Sequence, residues 1–171
     1  HAATQLADIT DQRMQGVSVQ RIHGDLHLGN LLLRDDKFFA LDFDDMVIGP
    51  PVQDLWLLLP GTDVHTRRQR EIFIEAYEQF RRFERNTLQL IEPLRGLRYV
   101  HYATWLARRW HDPVFPETWP HFGTEDYWRG ETADLEDLLT TIRKESSDGL
   151  TPEPSEEELQ NSDYFWDWED D

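Results

Sequence analysis

The sequence predicts a mainly helical fold that carries one small β-hairpin. Three stretches, 66–85, 88–110 and 124–144, repeat apolar residues at helical spacing with charged residues between them. Two short apolar runs within residues 31–41 enclose a charged turn, which is typical of a hairpin. Since the helical stretches are much longer than the hairpin, helices dominate the predicted fold.

The N-terminal third is expected to hold one helix and the β structure. Residues 2–15 carry spaced apolar residues on a polar background, which predicts a helix that Gly16 ends. Residues 17–22 form a short β-branched run, and the hairpin follows. Because antiparallel pairing unites the two ends of a hairpin, Asn30 at its entry and Asp42 at its exit are expected to lie close together.

The remaining elements are predicted to be helices. A Gly-Pro-Pro break at 49–51 precedes a buried helix over 52–59, which Pro60 and Gly61 end. The three long amphipathic helices follow, and Asp112-Pro113 ends the second of them. Residues 1–144 are therefore expected to form one folded unit.

The acidic charge is concentrated toward the C-terminus. The net charge is −17, and no Lys or Arg follows Lys144. Residues 145–171 are rich in Ser, Glu, Pro and Asp, which predicts a disordered acidic tail that includes the aromatic cluster 164–168. A nucleic-acid partner is not expected, because a strongly acidic chain repels a polyanion.

Several protein classes are disfavoured by composition. The chain contains no cysteine, which excludes disulfides, a thiolate nucleophile and cysteine metal sites. The longest apolar run, 55–59, is far too short to cross a bilayer, and the N-terminus lacks a basic segment followed by an apolar one. We therefore expect a cytoplasmic protein that does not contact a membrane.

Two segments carry the chemistry, HGDLHLGN at 23–30 and LDFDD at 41–45. Transfer of a phosphoryl group from ATP to a hydroxyl requires magnesium held against the phosphates and a carboxylate directed at the attacking hydroxyl. Asp25 suits the second task, as a catalytic base. Asn30 and Asp42 offer the oxygen atoms that Mg²⁺ prefers. The segments therefore predict the catalytic loop and the metal loop of a kinase with Mg²⁺ and ATP as cofactor and co-substrate.

A family resemblance extends this interpretation. The segments HGDLHLGNLLL, LDFDD and GPPVQDLW resemble the aminoglycoside phosphotransferase and choline kinase group of protein-kinase-like enzymes. IEAYEQF and IEPLRGLRYVHYATWLARRWHDPVFP are similar to bacterial stress response kinases of that group, which phosphorylate Ser/Thr in proteins. The resemblance implies the C-terminal lobe of a kinase-like fold, a base at Asp25, metal ligands at Asn30 and Asp42, and a protein Ser/Thr substrate, the kinase itself included.

The resemblance also implies a missing half of the site. A kinase needs a glycine-rich loop and a lysine that contact the nucleotide phosphates, and residues before Val17 contain neither. We expect an N-terminal lobe before His1 and little activity of this chain by itself. Gly24 stands where protein kinases have an arginine, so no docking group for a phosphorylated activation loop is expected.

Four further residues are candidates for supporting roles. His27 is expected either to donate a hydrogen bond to phosphate or substrate, or to stabilise its own loop. Asp44 is an accessory candidate for a contact to the metal site, because it lies two residues from Asp42. His23 is expected to orient or pack the catalytic loop. For Asp54, the resemblance implies that it braces the backbone of that loop.

Two other functions remain open from the sequence. A small-molecule kinase acting on an amino alcohol, a sugar or an antibiotic hydroxyl would use the same Asp25, Asn30 and Asp42. A non-catalytic helical module that binds a partner would not need them for catalysis. The tryptophans at 105, 110, 119 and 128 are expected to pack the protein rather than to form a stacking platform for a substrate.

Overall fold

The computed structural model describes residues 1–148, so the predicted tail from residue 149 onward, with its aromatic cluster, lies outside the described residues. The described part is mainly helical, as predicted. Its elements are α1 (Ala2–Arg13), β1 (Gln20–Ile22), β2 (Leu31–Arg34), β3 (Lys37–Ala40), β4 (Val47–Gly49), α2 (Val52–Leu58), α3 (Val64–Glu78), α4 (Ile91–Arg109), α5 (Val114–Thr118) and α6 (Glu125–Asp148), with short 3₁₀ helices at Leu28–Asn30 and Arg85–Leu90.

The four strands form two antiparallel pairs that are nested in sequence. β2 pairs with β3 from Leu31↔Ala40 to Arg34↔Lys37, and β1 pairs with β4 from Gln20↔Gly49 to Ile22↔Val47. The predicted hairpin is confirmed, but the expectation of a single β element is wrong. The nested pairs, which we call the ribbon, enclose the loop 23–30 on one side and the loop 41–46 on the other.

The hairpin turn explains the register of β2 and β3. Asp35 and Asp36 have φ angles of 51° and 58°. A two-residue type I′ turn requires positive φ at both central positions, and Asp tolerates this conformation better than most residues. The turn therefore aligns Arg34 with Lys37.

Three of the predicted helix boundaries are wrong. The helix predicted over 66–85 ends at Glu78, and the chain then leaves the helical path so that Phe83 is buried while Phe80 stays 91% exposed. The helix predicted over 88–110 begins at Ile91, after a 3₁₀ segment. The last helix, α6, continues to Asp148, so residues 145–148 extend this helix instead of beginning the tail.

Two apolar clusters hold the helices together. The larger surrounds α2, whose Leu55 and Trp56 are each 2% exposed, and receives Ile74 from α3 and Leu90 from the 3₁₀ segment. The smaller joins Leu6 of α1 to α6. No helix within residues 1–148 is long and apolar enough to cross a membrane.

Substitution of Gly96 by alanine is expected to lower the free energy of unfolding by about 1–2 kcal/mol. A Cβ atom at this buried position of α4 would lie 2.7 Å from Leu138 Cδ2 and 2.8 Å from Leu6 Cδ1. The packing cost outweighs the better helix propensity of alanine. Gly130→Ala on α6, where no atom lies within 4 Å of the new Cβ, is the matched control and should stabilise the chain. Urea unfolding followed by circular dichroism measures both; equal effects would contradict close packing at Gly96.

Candidate active site

The predicted catalytic loop is fixed at its first residues by Asp54 of α2. The Asp54 carboxylate accepts the His23 amide on Oδ2 at 2.8 Å and the Gly24 amide on Oδ1 at 2.9 Å. The Gly-Pro-Pro break starts α2 immediately after β4, which places this carboxylate beside the loop. Charge-assisted hydrogen bonds to two consecutive amides define the backbone direction there. The Asp54 carboxylate therefore holds the backbone of this loop, and its importance for activity stays a prediction.

His23 links the catalytic loop to the metal loop. Its side chain is buried, and Nε2 donates to the Leu41 carbonyl at 2.7 Å, which fixes the proton on Nε2 because a carbonyl oxygen can only accept. The His23 ring packs on the Phe43 ring with centroids 4.9 Å apart. His23 therefore acts as a packing residue between the two loops.

Glycine at position 24 is required by the close approach of the loops. Gly24 has a φ of +88°, and a Cβ atom there would lie 2.3 Å from the Asp45 carbonyl oxygen. Any side chain would push the two loops apart. The replacement of the protein-kinase arginine by glycine thus has a steric reason in this chain.

The predicted base and one predicted metal ligand are joined directly. The side-chain Nδ2 of Asn30 donates to the backbone carbonyl of Asp25 at 2.9 Å. The backbone carbonyl of Asn30 accepts from the backbone amide of Leu41, also at 2.9 Å. Because the Asn30 amide nitrogen is used in this way, its Oδ1 is the atom that remains for a cation. The first contact orders the catalytic loop, and the second connects it to the residue before Asp42.

An arginine that the sequence did not single out contacts the predicted base. Arg98 of α4 places Nη2 2.8 Å from Asp25 Oδ1, in an ion pair that is not aligned as a hydrogen bond. The Asp25 side chain is only 23% exposed. No local sequence signal marks Arg98, which lies 73 positions after its partner in the printed sequence.

His27 supports the loop and also lies near the base. Its Nδ1 accepts from the Gly29 amide at 3.0 Å and caps the 3₁₀ turn Leu28–Asn30. Its Nε2 lies 3.6 Å from Asp25 Oδ2. The first contact is the loop-stabilising role considered from the sequence. A contact of the same ring with substrate stays a prediction.

Asp42 has an unusual backbone conformation for a non-glycine residue. Its φ is 58°, and it lies exposed at the exit of β3 with Asp44 and Asp45 also exposed. Left-handed non-glycine residues are uncommon and concentrate at functional sites. Within residues 1–148 no three His, Asp or Glu side chains converge to hold a metal ion. The oxygen donors of Asn30 and Asp42 suit Mg²⁺ chemically, and an accessory role for Asp44 stays a prediction.

Comparison with known proteins gives the chain a family. The profile of the phosphotransferase enzyme family (APH) matches residues 1–97, which includes both loops and α2. The chain belongs to the phosphotransferase enzyme family. This confirms the resemblance found in the sequence and places Asp25, Asn30 and Asp42 within the matched region.

Two curated bacterial kinases are similar to this chain over most of its length. Stress response kinase A of Escherichia coli K12 is 48% identical over 128 residues, which cover 75% of the chain and 39% of the relative. Serine/threonine protein kinase RdoA of Salmonella typhimurium is 44% identical over 149 residues, covering 87% and 45%. The chain therefore spans about two fifths of the length of these curated relatives.

A solved structure with a similar fold is the amicoumacin kinase hAmiN, determined in complex with AMP-PNP, Ca²⁺ and Ami. Its TM-score is 0.55 over 84% of this chain and 44% of that chain, at 21% sequence identity. At this identity the similarity shows the fold, which is kinase-like as predicted, and does not extend to the acceptor.

Proposed function

We propose that this chain provides the base and the metal ligands of an ATP-dependent Ser/Thr protein kinase of the phosphotransferase family. The observation that carries the proposal is the joining of the two loops. Asp25 and Asn30 lie on the loop 23–30, Asp42 lies on the adjoining loop 41–46, and Asp54 and His23 form the hydrogen bonds that fix these loops. Phosphoryl transfer depends mainly on such positioning and on charge stabilisation.

Each residue has a defined task in this proposal. Asp25 accepts the proton of the attacking hydroxyl, and Arg98 holds its carboxylate in position. Asn30 Oδ1 and the Asp42 carboxylate hold Mg²⁺, which when bound neutralises negative charge on the phosphates of ATP. His23 and Asp54 keep the backbone of both loops in register.

Exposed apolar side chains on the ribbon and in the loop 23–30 support the proposal of an N-terminal lobe as a partner. Leu28, Phe38 and Ile48 are 68%, 72% and 66% exposed in the described part of the chain. A concentration of exposed large apolar side chains is typical of a surface that contacts another folded unit. We infer that an N-terminal lobe, which carries the nucleotide-binding loop and lysine, covers it. We further propose a cytoplasmic protein without nucleic-acid or membrane partners.

The relatives favour a protein acceptor over a small molecule. The kinases named for stress response and for Ser/Thr phosphorylation are 44–48% identical to this chain, whereas the amicoumacin kinase is 21% identical. Substrate class is more often shared at the higher identity. A protein hydroxyl is therefore the acceptor we propose, with the same protein as one such acceptor.

A fusion protein tests the proposal. We would join the N-terminal part of the E. coli stress response kinase A to His1 of this chain, which the 48% identity permits. With Mg²⁺ and radiolabelled ATP, we expect label on Ser or Thr of the fusion and of a general protein acceptor. Aminoglycosides, choline and homoserine should stay unlabelled. Label on a small molecule alone would favour the alternative kinase class, and no label anywhere would favour the non-catalytic module.

A further inference from the structure

One side of α4 begins beside Asp25 and continues as a row of aromatic and arginine side chains. At 3.6 residues per turn, positions 98, 102, 105 and 109 fall within a stripe about 60° wide. Arg98 pairs with Asp25, and one turn later Tyr102 is 39% exposed. Trp105 and Arg109 follow, and Arg108 lies next to the stripe. We call residues Tyr102, Trp105, Arg108 and Arg109 the α4 surface.

Aromatic contacts hold the side chains of the α4 surface in place. The rings of Tyr102 and Trp105 stack with centroids 5.9 Å apart and an interplanar angle of 10°. Phe115 and Trp119, which lie on and after α5, pack edge to face against Trp105 at 5.3 and 6.0 Å. The Arg109 guanidinium lies over the Trp105 ring at 4.5 Å. Rings fixed in this way lose little side-chain entropy on binding, which favours their use as anchors.

The tryptophans were expected to pack the protein, and the structure supports that expectation only in part. Trp105, Trp110 and Trp119 are half-buried, and Trp128 is 46% exposed. None belongs to the two buried apolar clusters. These aromatic side chains are held in place yet accessible, and they lie along α4 next to the predicted base Asp25. They therefore remain available to an acceptor.

We propose that the α4 surface docks the acceptor as an acidic peptide segment of a protein substrate; this rests on the proposed kinase function and gives its acceptor class. Charge supports the assignment. The chain carries 34 acidic and 17 basic residues, yet this surface presents exposed Arg108 and Arg109. The neighbouring Asp112 is engaged at its own turn, where Oδ1 accepts from the Val114 amide at 3.1 Å. A cationic acceptor such as an aminoglycoside is repelled here, whereas carboxylates are attracted.

Helix and peptide dimensions give the spacing of the recognised residues. Trp105 lies seven residues beyond Arg98, about 10 Å along the axis, and Arg109 lies eleven residues beyond it, about 16 Å. An extended peptide advances about 3.3 Å per residue. A peptide whose hydroxyl meets Asp25 therefore presents an aromatic or apolar side chain to Trp105 about three positions away. Its acidic side chain reaches Arg109 about five positions away.

A binding experiment on the complete 171-residue chain tests the surface. The probe is a fluorescent 13-residue peptide with a central Ser, Tyr three positions away on each side, and Glu five and six positions away on each side. Fluorescence anisotropy at low salt should show at least tenfold tighter binding than that of the same peptide with Lys in place of Glu. Replacement of both Tyr residues by Ala should weaken binding about fivefold.

Variants of the chain localise the binding. Arg109→Ala should weaken binding of the Glu peptide at least fivefold, and Arg109→Lys should weaken it less. Arg129→Ala is the matched control, because Arg129 is an exposed arginine of α6 paired with Glu125 and Asp126, and its effect should stay within twofold. Arg109→Ala removes the guanidinium over the Trp105 ring but leaves the contacts of that ring with Phe115 and Trp119, and circular dichroism of each variant checks that folding is preserved.

Four outcomes would overturn the proposal. The first two are equal binding of the Glu and Lys peptides, and equal effects of Arg109→Ala and Arg129→Ala. The third is displacement of the peptide by kanamycin, which would indicate a cationic small-molecule acceptor. The fourth is a tenfold gain in affinity on removal of residues 149–171, which would assign the surface to the chain's own acidic segment. Because peptide binding requires no phosphoryl transfer, an inactive fusion protein would refute the kinase function without deciding this result.

Discussion

Asp25→Ala in the fusion protein is expected to reduce kcat for phosphoryl transfer about a thousandfold, with little change in KM for ATP. In the proposed mechanism Asp25 accepts the hydroxyl proton, and its carboxylate forms an ion pair with Arg98 at 2.8 Å. Removal of the carboxylate leaves the nucleotide contacts intact but removes the proton acceptor. Initial rates with radiolabelled ATP over a range of ATP concentrations separate kcat from KM.

The control for Asp25→Ala is the substitution of Asp45, a carboxylate in the loop 41–46 beside the catalytic loop. Asp45→Ala removes an exposed side chain, while only the backbone carbonyl of Asp45 packs against Gly24. Its kcat should stay within about twofold of the parent. Transfer by the Asp25→Ala protein at the parental rate would refute the assignment of the base.

Asp54→Ala is expected to lower the free energy of unfolding of the chain by about 3–4 kcal/mol. The carboxylate accepts two backbone amides, and its removal leaves the His23 and Gly24 amides without their acceptor in a partly buried setting. Asp54→Asn keeps one acceptor oxygen and should lose about half as much. Urea unfolding monitored by circular dichroism gives both values.

The same substitution should also disturb the site. The first residues of the catalytic loop depend on Asp54 for their direction, so the fusion protein with Asp54→Ala should lose most of its kcat as well. Asp137→Ala, at an exposed position of α6, is the stability control and should change the free energy of unfolding by less than about 0.5 kcal/mol. If Asp54→Ala proved as stable as the parent, Asp54 would not be the brace of this loop.

The part of the site that the sequence predicts is the part that local patterns encode. The hairpin follows from two apolar runs and a turn, and antiparallel pairing then brings Asn30 near Asp42. The sequence marks 17–22 as a β-branched run but does not predict the pairing of β1 with β4, because each strand has three residues and paired residues lie about 27 positions apart. Strands this short carry almost no periodicity, and tertiary contacts decide whether they pair.

Helix ends were the second class of error, and burial explains it. Phe80 and Phe83 continue the apolar spacing of α3, so the sequence predicts helix through residue 85. In the structure the helix ends at Glu78, and Phe83 enters the larger core cluster from the irregular segment that follows, while Phe80 faces solvent. A spacing pattern cannot distinguish a residue buried by the helix from one buried after it.

Arg98 shows the limit of motif reasoning for the site itself. It lies in a segment rich in arginines, and only folding of α4 against the catalytic loop brings it to Asp25. The predictions of the base and the metal ligands rest on two short segments of neighbouring residues, and the bracing role of Asp54 rests on the family resemblance. A charge partner on a distant helix can be identified only when the packing of that helix is known.

The nested pairing of the ribbon also constrains how such a chain can change in length. Both functional loops are closed at each end by paired strands, so an inserted residue in either loop would have to bulge against the opposite loop at Gly24. The turn at Asp35 and Asp36 lies beyond the last pair and has no partner loop. Natural variants should therefore keep loops 23–30 and 41–46 at constant length and accumulate insertions and deletions at the hairpin tip.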